Sequence, residues 1–333
     1  MTILKKVLGG AAALALTTGA ALAEPALMYD MGGKFDKSFN EAAYNGAKRW
    51  AEETGGSYQE IEVTAEAQRV QFATRLAEAG YNPIVVLGFA NASTMEEVAP
   101  KYPDTSFAII DVNWLDIPNL RQISFAEHEG SYLVGMLAAM ASESGTVGFV
   151  GGMDVPLIRH FACGYAQGAK AVNPDINIVA NMTGTTPAAW NDPVKGGELT
   201  KAQVSQGADV VYAAAGGTTV GVLQAAADAN ILSIGVDSNM NHLHPGQVLT
   251  SMLKRVDNAV FDVFDKGVDG FESGVSVMSL ANDGVGYAID ENNASLITDE
   301  MKMAVDEARE KIISGELEVV AYYTNDSCPA LDF

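Results

Sequence analysis

The feature that most constrains the fold is a regular alternation of short apolar segments with amphipathic segments of helical spacing, which begins at Glu24. Residues 83–89 are a continuous apolar run, which is typical of a central parallel strand covered on both faces, and residues 106–111 have the pattern of another buried strand. Alternation of strands and helices predicts parallel sheets joined by right-handed crossovers. We therefore predict an α/β protein built from doubly wound parallel sheets.

The pattern restarts near Phe125, which predicts two similar lobes and not one very wide sheet. We predict that residues 24–124 form lobe 1 and that residues 125–247 form lobe 2. No Pro/Ser-rich linker separates them, so we expect several hinge crossovers, with residues 248–281 returning to lobe 1 and residues 282–333 to lobe 2. The tail, residues 319–323, has the pattern of a last strand. A cleft between two such lobes is a natural small-ligand site that closes by hinge motion.

The N-terminus has the pattern of a secretory signal peptide, residues 1–23. Lys5 and Lys6 precede a short apolar stretch that ends in Ala21-Leu22-Ala23, which predicts cleavage before Glu24. The stretch is short and interrupted by glycines, so a membrane anchor is the weaker interpretation. No Cys lies near the cleavage site, so lipid attachment there is not predicted. We expect an exported, soluble, periplasmic protein.

The charge of the chain excludes one class of partner. The formal net charge is −22, and removal of the signal peptide takes away two lysines and no acidic residue, which gives −24. Nucleic acid is therefore not an expected partner, because its phosphates need Lys and Arg. A strongly acidic surface favours a soluble monomer. The two cysteines, Cys163 and Cys328, are compatible with one disulfide or with two buried thiols.

The first strand-to-helix connection is the most informative stretch. A strand ends at Asp30, a loop with two glycines follows, and Ser38 with Glu41 three residues later predicts a capping box at the start of a helix. Asp30, Phe39 and Asn40 therefore lie where a strand passes into a helix. In an open α/β sheet this edge is where ligands bind. The alternative is a surface loop with Phe39 packed in the core.

Similar residues follow strands in both lobes. The candidate ligand-binding residues are Asp30, Phe39, Asn40, Asp111, Trp190, Gly216, Asp237 and Lys254. Two aromatic rings, three Asp carboxylates and one ammonium suit a flat heteroaromatic ring that carries a polyol. Each residue also has an ordinary alternative, since Trp190 is compatible with a core position and Lys254 with a solvated one.

Several enzyme signatures are absent from the sequence. The glycine pairs do not form a dinucleotide-binding fingerprint, and neither a phosphate-binding loop nor a nucleophile elbow occurs. His242 and His244 flank one residue in a loop, where surface histidines are the better interpretation than a metal site. Acid–base catalysis by Asp pairs remains open. We expect no metal, no cofactor and no enzymatic activity.

Motifs spread over the whole mature chain resemble one known family. They are residues 36–40 (DKSFN), 102–103 (YP), 107–111 (FAIID), 129–135 (EGSYLVG), 147–152 (VGFVGG), 235–237 (GVD) and 250–254 (TSMLK). Together they resemble the basic membrane protein family of ABC-transporter substrate-binding proteins, which includes purine nucleoside receptors. The resemblance implies a type I periplasmic-binding fold that delivers a nucleoside to a permease in the inner membrane.

The resemblance also implies roles for the candidate residues. The rings of Phe39 and Trp190 would stack on the base. Asp30, Asn40 and Asp111 would hydrogen-bond to the ligand in lobe 1. Asp237 and Lys254 would hold the ribose diol. Nucleoside receptors of this kind carry Phe where this chain has Trp190, which leaves the base open. Many members are lipoproteins, and this chain lacks the lipid-bearing Cys.

Two other functions compete with a purine nucleoside receptor. One is a receptor for another small metabolite, such as a sugar or a flavin. The other is an exported nucleoside-cleaving enzyme. A transcriptional regulator of related fold is excluded by the signal peptide and by the missing basic DNA-binding module.

Overall fold

A computed structural model describes residues 23–324 and 326–333. The predicted signal peptide, residues 1–23, lies outside the described residues except for Ala23. Within the described ranges, no helix is long and apolar enough to cross a membrane.

Most strands of the described chain are followed by a helix. The elements before the chain first passes from lobe 1 to lobe 2 are β1 Ala26–Tyr29, α1 Phe39–Thr54, β2 Gln59–Glu62, α2 Arg69–Glu78, β3 Ile84–Val86, α3 Ala92–Val98, β4 Phe107–Ile110 and β5 Leu120–Phe125. The next are α4 Glu127–Ala141, β6 Thr146–Met153, α5 Pro156–Val172, β7 Asn177–Gly184, α6 Pro193–Ser205, β8 Val210–Ala214, α7 Thr219–Asp228, β9 Leu232–Asp237 and β10 Val248–Lys254. The last are α8 Val256–Lys266, β11 Gly274–Met278, β12 Val285–Tyr287 and α9 Asp299–Ser314.

These elements form two sheets, one in each lobe. The first sheet has the strand order β2-β1-β3-β4-β5-β11, with parallel pairing throughout. The second has the order β7-β6-β8-β9-β10-β12, and its pairs are parallel except for the antiparallel edge strand β12. The central strands β1, β3, β4 and β8 are buried along their whole length, as expected of strands covered by helices on both faces. The predicted two-lobed parallel α/β fold is confirmed.

The chain crosses between the sheets three times within the described residues: after β5, after β10 and between β11 and β12. The predicted return of residues 248–281 to lobe 1 needs correction at its start. β10 pairs with β9, and Leu253 lies opposite Asp237 in that pair, so residues 248–254 belong to the second sheet. The return begins with α8, which packs on α1, and it ends with β11 on β5. Lys254 is consequently the last residue of a lobe 2 strand.

The C-terminal segment, defined here as residues 319–333, lies against α5 of lobe 2. Cys163 of this helix forms a disulfide with Cys328, with a Cα–Cα distance of 5.5 Å. The predicted strand over residues 319–323 does not form; the segment contains a short turn, Tyr322–Thr324. Its backbone is held by a side chain instead, because the amide of Gln167 donates to the carbonyl of Val320 and accepts from its N–H, both at 2.9 Å.

Candidate ligand-binding site

A cleft between the carboxyl ends of the two sheets collects all of the predicted ligand-binding residues. The empty space between its walls, including the part open to solvent, is about 580 Å3. The predicted residues that line it are Asp30, Phe39, Asn40, Asp111, Trp190, Gly216, Asp237 and Lys254. The prediction did not include Met31, Asp36, Gly88, Phe89, Leu157, Ile158, Phe161, Ala214 and Val236, which also line it.

The buried amide of Asn40 holds the loop that follows β1. Its oxygen accepts from the N–H of Asp30 at 3.1 Å, and its nitrogen donates to the carbonyls of Asp30 and Gly33, each at 3.2 Å. These bonds occupy the side chain, so Asn40 shapes the wall of the cleft through the loop.

The N-terminus of α1 is capped by Asp36 and not by the predicted capping box. The Asp36 carboxylate accepts from the N–H groups of Ser38, Asn40 and Glu41 at 2.8–3.1 Å. Burial raises the pKa of Asp36 to about 7, while these three backbone donors act to lower it. The Ser38 side chain makes no cap; its hydroxyl donates to the Asp237 carboxylate of the other lobe. Ser38 therefore connects the two lobes.

Asp30 forms a buried ion pair with Arg69 from α2. The guanidinium Nη1 lies 2.7 Å from Asp30 Oδ1, which also accepts from the N–H of Met31 at 2.8 Å. Burial raises the pKa of Asp30, and the charge of Arg69 counteracts that rise. The other oxygen, Oδ2, lies against Gly88, which has a φ of +88° and where a Cβ would overlap this oxygen. Asp30 is thus fixed on one side with one oxygen beside the cleft.

Asp111 and Asp237 occupy equivalent places in the two lobes. Each follows or ends a buried strand, and both have left-handed backbone conformations, with φ of 68° and 63°. Asp tolerates this region better than most residues, although the conformation still has a cost. Asp237 is 8% exposed. Burial raises its pKa to about 6, against the lowering effects of Lys254 and Ser38.

Lys254 places a buried ammonium between carboxylates of both lobes. Its Nζ lies 2.7 Å from Asp111 of lobe 1 and 3.1 Å from Glu127 at the start of α4. Burial opposes the charged form, but Asp111, Glu127 and Asp237 together raise the pKa of Lys254. The rings of Phe39 and Phe161 lie 5.2 and 5.5 Å from the ammonium, within cation–π range. The side chain therefore remains charged although it is 2% exposed.

Trp190 forms the lobe 2 wall of the cleft. It ends a short turn, Pro187–Trp190, that Thr218 fixes by donating to the carbonyl of Ala189 at 2.8 Å. The indole lies over Gly152, where any Cβ would overlap the ring, and its backbone lies beside Gly216. The glycine at position 152 makes room for the wide ring.

The lobes touch at the mouth of the cleft. Besides the bond from Ser38 to Asp237, the hydroxyl of Ser238 donates to the carbonyl of Ser38 at 3.1 Å. Among the described residues, no group of three or more His, Cys, Asp and Glu is arranged to hold a metal ion. His242 and His244 lie on or beside a short turn, Asn241–Leu243, and outside the cleft lining.

Sequence reasoning missed two charged residues that support the site. Arg69 and Glu127 lie at the first positions of α2 and α4, where charged residues are usually solvated. Their burial, 6% and 1% exposed, is the property that distinguishes them. Glu127 does follow a strand, as the other candidates do, and that position was the signal available for it.

Comparison with known sequences finds one family model and several relatives that match most of this chain. The model of the Bmp family, described as ABC transporter substrate-binding protein PnrA-like, matches residues 23–322. An uncharacterized lipoprotein of Pyrococcus horikoshii is 35% identical over 278 residues, covering 79% of this chain and 68% of that protein. The ABC transporter nucleoside-binding protein BmpA of Lactococcus lactis is 30% identical over 294 residues, covering 81% and 83%.

Solved structures agree with the fold. A crystal structure of an ABC transporter solute-binding protein from Aeropyrum pernix is similar with a TM-score of 0.83 at 28% identity, covering 91% of this chain and 95% of that one. The solved structure of an ABC transporter solute-binding protein from Conexibacter woesei has a TM-score of 0.72 at 22% identity and covers 90% of this chain and 99% of that one, which supports the fold alone. With a family model that spans nearly all of the described chain, the protein belongs to the Bmp family of PnrA-like ABC-transporter substrate-binding proteins.

Proposed function

We propose that this protein is a periplasmic receptor that binds a purine nucleoside between its lobes and delivers it to an inner-membrane ABC permease, without catalysis. The proposal includes a soluble monomer in the periplasm. The relative in Lactococcus lactis that is named as nucleoside-binding supports this ligand class.

The observation that carries the proposal is the composition of the cleft. Phe39 of lobe 1 and Trp190 of lobe 2 both line it, together with carboxylates from each lobe. Aromatic side chains stack on a base for about 1–3 kcal/mol per base. Carboxylates accept hydrogen bonds from ring N–H groups and from hydroxyls. A base that bears a sugar has both kinds of surface.

Asp237 and Lys254 are the proposed ribose contacts. They end adjacent parallel strands, because Asp237 lies opposite Leu253 in the β9–β10 pair. An ammonium has three N–H donors, and two carboxylates lie within 3.1 Å of Lys254, which leaves a donor for a hydroxyl oxygen. Asp237 already accepts from Ser38 across the mouth, so a diol bound there is coupled to closure of the lobes.

The relative affinities for nucleosides and free bases test whether Asp237 and Lys254 bind the ribose. We expect guanosine to bind well, deoxyguanosine more weakly by about 1–3 kcal/mol because a buried polar group is left without a partner, and free guanine poorly. Asp237→Asn, which can still accept from Ser38, should blunt the ribose preference and leave the order of guanosine and adenosine intact. Asp104→Asn on the exposed surface is the matched control. Calorimetric titration measures these affinities, and equal affinity for guanosine and guanine would contradict the proposal.

A separate experiment distinguishes a receptor from an enzyme. Native mass spectrometry of the purified protein should show a co-purified nucleoside, and prolonged incubation with guanosine should leave the glycosidic bond intact. Release of free base at a rate that depends on protein concentration would favour the nucleoside-cleaving alternative. A co-purified sugar or flavin would favour the other receptor.

A further inference from the structure

Helix α5 has one face toward the cleft and another toward the C-terminal segment. The cleft side carries Leu157, Ile158 and Phe161. The opposite contacts are made by side chains of the same turns, namely Arg159, His160, Cys163 and Gln167. Any displacement of the segment therefore acts on a helix that forms part of the cleft wall.

One of these contacts, made by His160, reaches a residue that touches the cleft-lining Lys254. The backbone N–H of Tyr322 donates to His160 Nδ1 at 3.1 Å. The imidazole is 2% exposed and lies between the rings of His128 and Tyr323, at centroid distances of 4.3 and 4.6 Å. Burial, with the nearby His128 and Lys254, lowers the pKa of His160 to about 2, so the ring is neutral.

A neutral imidazole that accepts at Nδ1 must carry its proton on Nε2. This nitrogen faces the Glu127 carboxylate, with 3.8 Å between His160 Nε2 and Glu127 Oε2. The other oxygen of Glu127 lies 3.1 Å from Lys254 Nζ, which lines the cleft. The N–H of the C-terminal segment thus selects the tautomer that presents a donor to the carboxylate.

The opposite tautomer would present a lone pair to Glu127 and repel its charge. Burial and the nearby charge of Asp111 raise the pKa of Glu127, and the charge of Lys254 opposes that rise. A carboxylate in this condition depends on each nearby donor to stay ionised. Without the His160 donor, Glu127 holds the ammonium less firmly, and Asp111 alone remains at 2.7 Å.

We infer that the C-terminal segment, fixed by the Cys163–Cys328 disulfide, positions the Lys254 ammonium in the cleft through His160 and Glu127. His160 is a positioning residue, because it lies outside the cleft lining. Reduction of the disulfide releases the segment, lets His160 exchange tautomers and weakens binding. The part of this inference that concerns affinity rests on the proposed function, whereas the tautomer does not.

The first test needs no ligand. Imidazole ¹⁵N spectra of the full chain should show His160 as the pure Nε2–H tautomer in the oxidised protein and as a mixture after reduction. The four histidine signals are assigned by single variants. Cys163→Ala/Cys328→Ala should reproduce the spectrum of the reduced protein. A His160 signal that is the same in the oxidised and reduced proteins would overturn the inference, whether or not any nucleoside binds.

The second test keeps the disulfide intact and compares two amides. Asn at residue 160 can place an oxygen near the Nδ1 position but no donor toward Glu127, whereas Gln can place an N–H near the Nε2 position. We expect His160→Asn to weaken guanosine binding by about tenfold, because it removes the N–H dipole that points at the buried Glu127 carboxylate across 3.8 Å. His160→Gln should remain within about threefold of the parent. Equal losses in both variants, or none in either, would refute the positioning role.

Discussion

Replacement of Arg69 by Met should expose the electrostatic cost of the carboxylate beside the cleft. Met keeps most of the apolar length of the side chain and removes the guanidinium that lies 2.7 Å from Asp30. Removing one partner of a buried ion pair costs about 3–5 kcal/mol of folding free energy. Asp30 can escape part of this cost by taking up a proton, which sets an upper limit.

That limit is the free-energy cost of protonating Asp30, which depends on pH. Protonating an Asp of ordinary pKa near 3.9 costs about 4 kcal/mol at pH 7 and about 1.5 kcal/mol at pH 5. Burial already raises the pKa of Asp30 in the parent protein, so the limit lies below these values. We therefore expect Arg69→Met to lower the free energy of unfolding by about 2–3 kcal/mol at pH 7 and by less than about 1.5 kcal/mol at pH 5. The sign follows because loss of Arg69 raises the folded-state pKa of Asp30 further, so stability is lost as pH rises.

Urea unfolding of the ligand-free protein, followed by tryptophan fluorescence at both pH values, measures the effect. The double variant Arg69→Met/Asp30→Asn should regain most of the loss at pH 7, since a neutral amide needs no counter-charge. Arg75→Met, on the exposed face of the same helix, should change stability by no more than about 0.5 kcal/mol. A loss independent of pH, or a double variant no more stable than the single one, would refute the reasoning.

Three further predictions concern the walls of the cleft. Phe39→Ala should reduce guanosine affinity by about 1–3 kcal/mol, roughly tenfold to a hundredfold, whereas Trp190→Phe should keep most of the stacking; calorimetry compares them. Because the folded-state pKa of Asp237 is raised to about 6, its stabilising contribution is lost as pH rises from about 4 to about 6. The free energy of unfolding of Asp237→Asn should therefore lack this pH-dependent loss of about 3 kcal/mol. Parallel pH profiles of the free energy of unfolding for the parent and the variant would contradict the prediction. Gly88→Ala should cost about 1–3 kcal/mol of stability by displacing the Asp30 carboxylate and straining a positive φ, and unchanged unfolding would show that the site adapts.

The cleft could be predicted from the sequence because its position follows from topology. Asp111 and Asp237 each lie at the end of a strand, and parallel strands bring their carboxyl ends to one edge. Neither residue needed a long-range contact to be identified, and the periodicity that locates strands also located them. The same reasoning brought both rings to this edge, since Phe39 is the first residue of α1 and Trp190 lies in the connection that leads to α6.

Other parts of the structure depend on contacts that periodicity does not encode. The membership of β10 in the second sheet is set by its pairing with β9, and a buried apolar strand fits either sheet. The C-terminal segment has a strand-like apolar pattern, but its backbone bonds to Gln167 and His160 of α5. Arg69 is an ordinary helix residue until Asp30 is placed beside it.

The three crossings of the chain also determine the order in which the protein can fold. β11, residues 274–278, supplies the outer edge of the first sheet, and β12, residues 285–287, supplies that of the second. During synthesis, both sheets therefore lack an edge strand until residues 274–287 have been made, and the two lobes are completed almost together. A chain shortened to residue 270 would lack an edge strand in both lobes at once. The two lobes each have their own sheet, but their folding is completed by the same segment of the chain.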